Sequence, residues 1–211
     1  MPSRTRTEDR PSILPLALTA AAAAAMIWVF ASPPAAAQEP EAGTFAIAET
    51  HVHAAFSVSH LGFSKTIGNF DEVSGTFSLD PANPAGSSVS VTIKTASIDT
   101  AHEPRDEHLR GPDFFNVAEY PEMTFVATSV EPTGETTATV TGDLTMLGAT
   151  HPVTLDVTLN QAMTHPMSGN YVAGFSATGT LDRTLWGMAY GAPAIGSEVT
   201  LMIEAEGIRQ E

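Results

Sequence analysis

Beyond residue 43 the chain is written with a period of two. Phe56 and Val58 share one parity, as do Val89, Val91 and Ile93, and Val140, Leu144 and Met146. Val153, Leu155, Val157 and Leu159 alternate with Thr154, Asp156, Thr158 and Asn160. Tyr171, Ala173, Phe175 and Ala177 repeat the pattern, and so do Val199, Leu201 and Ile203. Successive side chains of a strand point to opposite faces, so each segment reads as a strand with one buried and one solvated side. Eight strands follow, at about 44–59, 66–79, 87–99, 122–131, 136–147, 150–161, 171–183 and 197–206. Turn formers divide them: Pro81 to Gly86, Pro132-Thr133-Gly134 and Gly148-Ala149. Short connections exclude crossover helices between most neighbours and so favour antiparallel pairing. Eight such strands either close as an up-and-down barrel, which leaves no unpaired edge, or pack as a two-sheet sandwich. The pattern alone admits both.

One stretch breaks the rhythm. RDEHLRGPDFFNVAEYPEMTF, from Arg105 to Phe125, gathers seven charged residues, three Phe and one Tyr, with Pro112 and Pro121 interrupting any continuous helix or strand. It predicts a short helix over His102–Arg110 within an insertion at about 102–118. Two roles fit such a segment at one end of a sheet or barrel. Phe114 and Phe115 cap a core while the charges face water, or the loop shapes the entrance to a binding site. Arg105 and Asp106 are expected to form a structural pair that pins this loop. Acid, base and cation stand side by side at Arg105, Asp106, Glu107 and His108, but adjacent residues do not converge on one reacting atom.

The first 37 residues carry a different pattern. Arg4, Arg6 and Arg10 precede an apolar run from Ile13 to Ala31 and a small-residue Ala35-Ala36-Ala37 site. This describes a signal peptide cleaved near Ala37, hence a periplasmic or secreted product; the alternative is an uncleaved anchoring helix. Residues 38–43 then form a short leader and 44–207 a single domain. Removing residues 1–37 takes away three arginines and two acids, so the net charge moves from −15 to −16. Such a balance argues against nucleic acid and against electrostatic docking on anionic membranes.

Chemistry is sparse. Cysteine is absent, which excludes thiolate catalysis and Cys-ligated metals. No Gly-x-Ser-x-Gly elbow, P-loop or Gly-x-Gly-x-x-Gly occurs, so no catalytic residues are assigned. His51 and His53 share one face of the first strand, but no third ligand accompanies them, and no metal site is assigned. On the other parity, Val52, Ala54, Phe56 and Val58 lead to His60, which would point inward near a strand end. His60 is then either the partner of a ligand's polar end or a core histidine satisfied by the protein itself.

Four blocks taken together resemble the YceI-like, polyisoprenoid-binding family. They are HVHAAFSVSHLGFSKTIGNF (His51 to Phe70), the Arg105 to Phe125 stretch, Gly142-Asp143-Leu144-Thr145 with Gly148 and Pro152-Val153, and Arg183 with Trp186-Gly187-Met188. Two positions depart from the family pattern: Val52 stands where Ser is common, and Trp186 where Phe is usual. The resemblance implies an all-β, lipocalin-like eight-stranded barrel with an elongated apolar interior, which resolves the choice between barrel and sandwich. It implies no enzyme and no obligatory cofactor. The partner it implies is an apolar long-chain molecule, a polyprenyl lipid or a quinone, held for transport, sequestration or a stress role. The rival implication is a quinone-binding redox partner of a membrane b-type cytochrome. A homodimer is compatible with barrels of this kind. The expected lumen and mouth residues are Phe56, Val58, His60, Phe77, Phe114, Phe115, Phe125, Val157, Phe175, Ala177 and Trp186.

Overall fold

The computed structural model describes residues 40–211. The expected signal segment lies outside them. The strands are β1 (Gly43–His60), β2 (Ser64–Phe70), β3 (Val73–Leu79), β4 (Ser88–Lys94), β5 (Ile98–Asp99), β6 (Glu122–Pro132), β7 (Thr137–Met146), β8 (Ala149–Thr164), β9 (Tyr171–Asp182) and β10 (Ile195–Arg209), with helix α1 (Glu103–Arg110) between β5 and β6. All pairings are antiparallel, in the order β10-β9-β8-β7-β6-β4-β3-β1-β2-β5, and β10 pairs back onto β1. The result is a closed up-and-down barrel of eight strands with one short helix.

Ten segments make eight barrel strands because two expected strands are broken. The segment expected at 66–79 is split into β2 and β3, both of which pair with the same side of β1. The segment expected at 87–99 is split by a 3-10 turn at Thr95–Ser97. The two breaks answer one another. Asp71 N donates to Ser97 O and Lys94 N donates to Glu72 O, so each interruption satisfies the backbone groups that the other frees. Thr95, almost fully buried, donates its hydroxyl to Tyr120 O and ties the break to the end of the long insertion.

The β7–β8 connection is a two-residue turn at Leu147 (φ 51°) and Gly148 (φ 75°), one residue earlier than its sequence signal. Two consecutive positive φ values match the twist of a tight hairpin, and glycine supplies the second at no steric cost.

Register decides which side chains reach the interior. Against β10, β1 pairs Ile47 with Gly207 and then Val52 with Ala205, so β1 carries three extra residues. An odd insertion reverses the parity of the strand. Phe45 therefore points inward at one end, while Val52, Ala54, Phe56 and Val58 point inward at the other.

Two apolar clusters fill the barrel. The smaller joins Phe45, Phe77, Ala162 and Ala173, with Phe175 and Leu159 packed against them. Phe45 stacks on Phe77 at 4.9 Å between centroids and 6° between planes, and Phe77 meets Phe175 edge-on at 5.2 Å. These rings plug one end. The larger cluster lies toward the other end and includes Phe70, Ile98, Phe114, Phe115, Trp186 and Met188.

Candidate functional site: an apolar cavity under an aromatic lid

The unplugged end contains an apolar cavity of about 300 Å³. All eight barrel strands contribute to its wall. Ala54, Phe56 and Val58 come from β1, Ile93 from β4, Phe125 from β6, Leu144 from β7, Leu155 from β8, Leu181 from β9 and Leu201 from β10, while β2 supplies Phe70. That volume lies at the lower end of the ~300–1,000 Å³ usual for small-molecule sites.

Glycines give the wall its room. A Cβ on Gly68 would lie 2.4 Å from Phe56 Cζ, and one on Gly142 would lie 2.4 Å from Phe125 Cζ. The far edge of each ring therefore occupies the space that a side chain on the neighbouring strand would take. At the plugged end Gly207 serves Phe77 likewise, with an added Cβ 2.2 Å from Cε1.

The lid is built by α1 and the turn after it. Pro104 opens the helix, where a missing N–H costs nothing, and His102 Nδ1 accepts from Arg105 N. Arg110 moors the far end by donating to Ala96 O and Ile98 O. Phe115 N returns to Leu109 O, and this turn drives both phenylalanines down into the barrel. Phe115 meets Phe70 edge-on at 5.4 Å, while Phe114 packs against His108 and Tyr190. The two roles foreseen for this stretch coincide, since Phe114 and Phe115 are both buried and both line the cavity.

Arg105 and Asp106 do not form the expected ion pair. Neighbours on a helix point in different directions, and both reach Thr100 instead. Arg105 Nε donates to Thr100 Oγ1 and Nη2 to Thr100 O, each at 2.6 Å. Asp106, 2% exposed, accepts from Thr100 N at 3.0 Å and from the Thr100 hydroxyl. The loop is pinned through Thr100.

Arg183 supports the cavity's other rim. It is 3% exposed and donates to four backbone carbonyls, those of Gly196, Met188, Tyr190 and Ile195. Burial lowers the pKa of its guanidinium from the ordinary arginine value, and the neighbouring Asp182 carboxylate partly offsets this. Its ring-facing side lies 6.0 Å from the centroid of Phe114, joining rim to lid.

Of the residues expected at lumen and mouth, Phe56, Val58, His60, Phe114, Phe115 and Phe125 line the cavity. Five do not. Phe77 and Phe175 belong to the plug. Val157 and Ala177 face one another in register on the strands between cavity and plug. Trp186 is buried in the larger cluster without lining the cavity, and its indole N–H donates to Leu144 O at 3.0 Å. Alternation identifies an inward residue but not its height along the barrel axis, which explains the first four. His60 is exposed at the rim, and among the described residues its ring makes no hydrogen bond.

At this rim the cavity adjoins a polar recess formed by His60, Ser64, Lys65, Thr66, Thr100 and Arg105. Sequence reasoning missed Lys65 altogether, although it is one of only two lysines in the chain. Tyr190 was likewise not foreseen, and Met188 was named only as part of a family block; both reach the cavity from an irregular segment without periodicity to mark them as lumen residues. Among the described residues no cluster of three or more His, Asp or Glu side chains is arranged to hold a metal. No helix there is long and apolar enough to cross a membrane.

Comparison with known proteins gives a consistent picture. The family model described as "YceI-like domain" matches residues 45–207. A "UPF0312 protein" of Pseudomonas savastanoi pv. phaseolicola is 43% identical over 161 residues, covering 76% of this chain and 83% of that protein. The crystal structure of the Campylobacter jejuni YCEI protein is 30% identical with a TM-score of 0.65, over 72% of this chain and 90% of that one. A polyisoprenoid-binding domain from Saccharophagus degradans shares the fold alone, at 14% identity and a TM-score of 0.56, over 81% of this chain and all of that one.

Proposed function

Because the chain belongs to the YceI-like family, we propose that its barrel is an exported carrier that holds the tail of an isoprenoid or similar long-chain lipid. The observation that carries this reading is the cavity itself, whose wall is apolar from every strand and contains no acidic side chain in a chain with 24 of them. The Saccharophagus neighbour, described as a polyisoprenoid-binding domain, supports it. Export rests on the pattern of residues 1–37.

The physics is that of burial. Each methylene moved from water into the cavity contributes ~0.8 kcal/mol, less the cost of ordering the tail. Affinity therefore grows with tail length until the chain meets the tier of Val157 and Ala177, above the ring plug. The lid excludes water from this contact, and the binding role needs no nucleophile.

The test is a titration of the purified protein with prenols of increasing length, joined to solvent extraction and mass spectrometry of protein taken from its native envelope. The expected result is affinity rising with length to a plateau and a co-extracted long-chain lipid. Absence of binding by every apolar chain, with nothing extracted, would sink the proposal.

A further inference from the structure

The described part of the chain has six lysines and arginines, and their partners divide them sharply. Lys94 pairs with Glu122, Arg110 with Glu103 and Arg209 with Glu41. Arg183 spends its guanidinium on four backbone carbonyls. Lys65 and Arg105 remain, and among the described residues neither makes an ion pair. These two line the same polar recess, beside His60, where the apolar cavity reaches the surface.

From this placement we infer that the molecule held in the barrel carries an oxyanion head, a phosphate or carboxylate, seated on Lys65, Arg105 and His60. The inference rests on the reading of the cavity as a tail site and names the chemistry of the other end. Three observations converge. First, neither the recess nor the cavity is lined by any Asp or Glu, although the chain's net charge is −15, and the carboxylate that Thr100 bonds, Asp106, is buried outside both linings. Second, Arg105 is held before any ligand arrives. Thr100 takes two of its five N–H groups, and buried Asp106 fixes Thr100. The remaining three donors keep the planar fork that suits a phosphate or carboxylate. Third, Arg105, His60 and Thr66 line both spaces, so a head on these groups continues directly into a tail among Phe56, Phe114 and Phe115. An isolated exposed lysine is ordinarily only solvated. What distinguishes Lys65 is its company at a rim where the apolar cavity adjoins a polar recess. A local positive rim on an acidic protein also selects, because the rest of the surface repels the same head.

The experiment compares farnesyl monophosphate, farnesol and inorganic phosphate by calorimetric titration, at low and at high salt, on wild type, Lys65→Glu and Arg105→Gln. Lys65→Glu is the cleaner variant, since Lys65 is exposed and unpartnered, while Arg105→Gln also loosens Thr100. The phosphate ester should bind about tenfold or more tightly than the alcohol, from one or two charge-assisted hydrogen bonds. The preference should shrink with salt, vanish in Lys65→Glu and fall in Arg105→Gln. Farnesol affinity should change far less than ester affinity in Lys65→Glu, and Tm should stay close to wild type because Lys65 is exposed. Equal affinity for ester and alcohol in wild type, or a preference that survives both variants, would overturn the head assignment while leaving the tail reading intact. Inorganic phosphate binding as tightly as the ester would assign the recess to a free anion, and would overturn it too. If neither farnesyl compound binds, the tail reading itself falls, and the head assignment with it.

Discussion

Gly68→Ala tests the construction of the lumen at its narrowest tolerance. The added methyl would stand 2.4 Å from Phe56 Cζ, 2.8 Å from Phe56 Cε1 and 2.8 Å from Thr100 Cγ2. Carbon atoms in contact sit ~3.5–4.0 Å apart, so the ring must retreat by more than ~1 Å. The β2 strand backs it on one side, and only the lumen is open on the other. Overpacking of this kind costs ~1–3 kcal/mol, partly offset by the ~0.4–1 kcal/mol that an alanine contributes through the unfolded chain. In a domain of this size a net loss near 1–2 kcal/mol lowers Tm by about 2–8 °C. Binding should suffer as well. If the displaced ring denies the tail two methylenes, at ~0.8 kcal/mol each, farnesol affinity falls by about tenfold. Phe56→Leu in the same background removes the ring edge that collides, so the double variant should recover most of both losses, as coupled neighbours do. Calorimetric titration with farnesol and thermal unfolding of wild type, both single variants and the double variant provide the measurement. Unchanged affinity in Gly68→Ala, or a deficit that Phe56→Leu leaves unrepaired, would refute the claim that this ring's rest position sets the lumen width.

Two further outcomes follow from the rim. Arg183→Lys should destabilise the protein by at least ~3 kcal/mol, because a lysine cannot span four carbonyls and leaves buried acceptors unpaired; a Tm equal to wild type would show that the carbonyls find other partners. Asp182 accepts from Thr184 N at 2.9 Å and from the Thr184 hydroxyl at 2.7 Å, and these bonds hold its carboxyl below the ordinary aspartate range. Its contribution to the 183–186 turn is therefore complete above that range and lost as pH falls through the lowered value; the Thr184 amide resonance should titrate there in wild type, and its persistence in Asp182→Ala would assign the inflection to another group.

Much of this molecule is legible in the order of its residues. Alternation located all eight barrel strands, since a half-buried strand must repeat every two residues. The prolines and aromatics of 105–125 marked the segment that became the lid. The inward parity of Val52 to Val58 was also readable, because within one unbroken strand every second residue shares a face. What lay beyond the sequence was whatever depends on pairing across strands. The three extra residues of β1 reverse its parity between Ile47 and Val52, and only the β10 register reveals them. Parity cannot say how far along the barrel axis an inward side chain sits, so Phe77 and Phe175 looked equivalent to Phe56. Register placed them at the far end, where stacking with Phe45 makes a plug instead of a wall. The polar rim was equally hidden. Lys65 and Arg105 are 40 positions apart, and neither is unusual until antiparallel pairing of β2 with β5 brings Thr100 and its bound guanidinium beside the lysine's strand. Local chemistry determines which face a residue shows, but a closed barrel decides which residues meet, because closure and register are properties of all its strands at once.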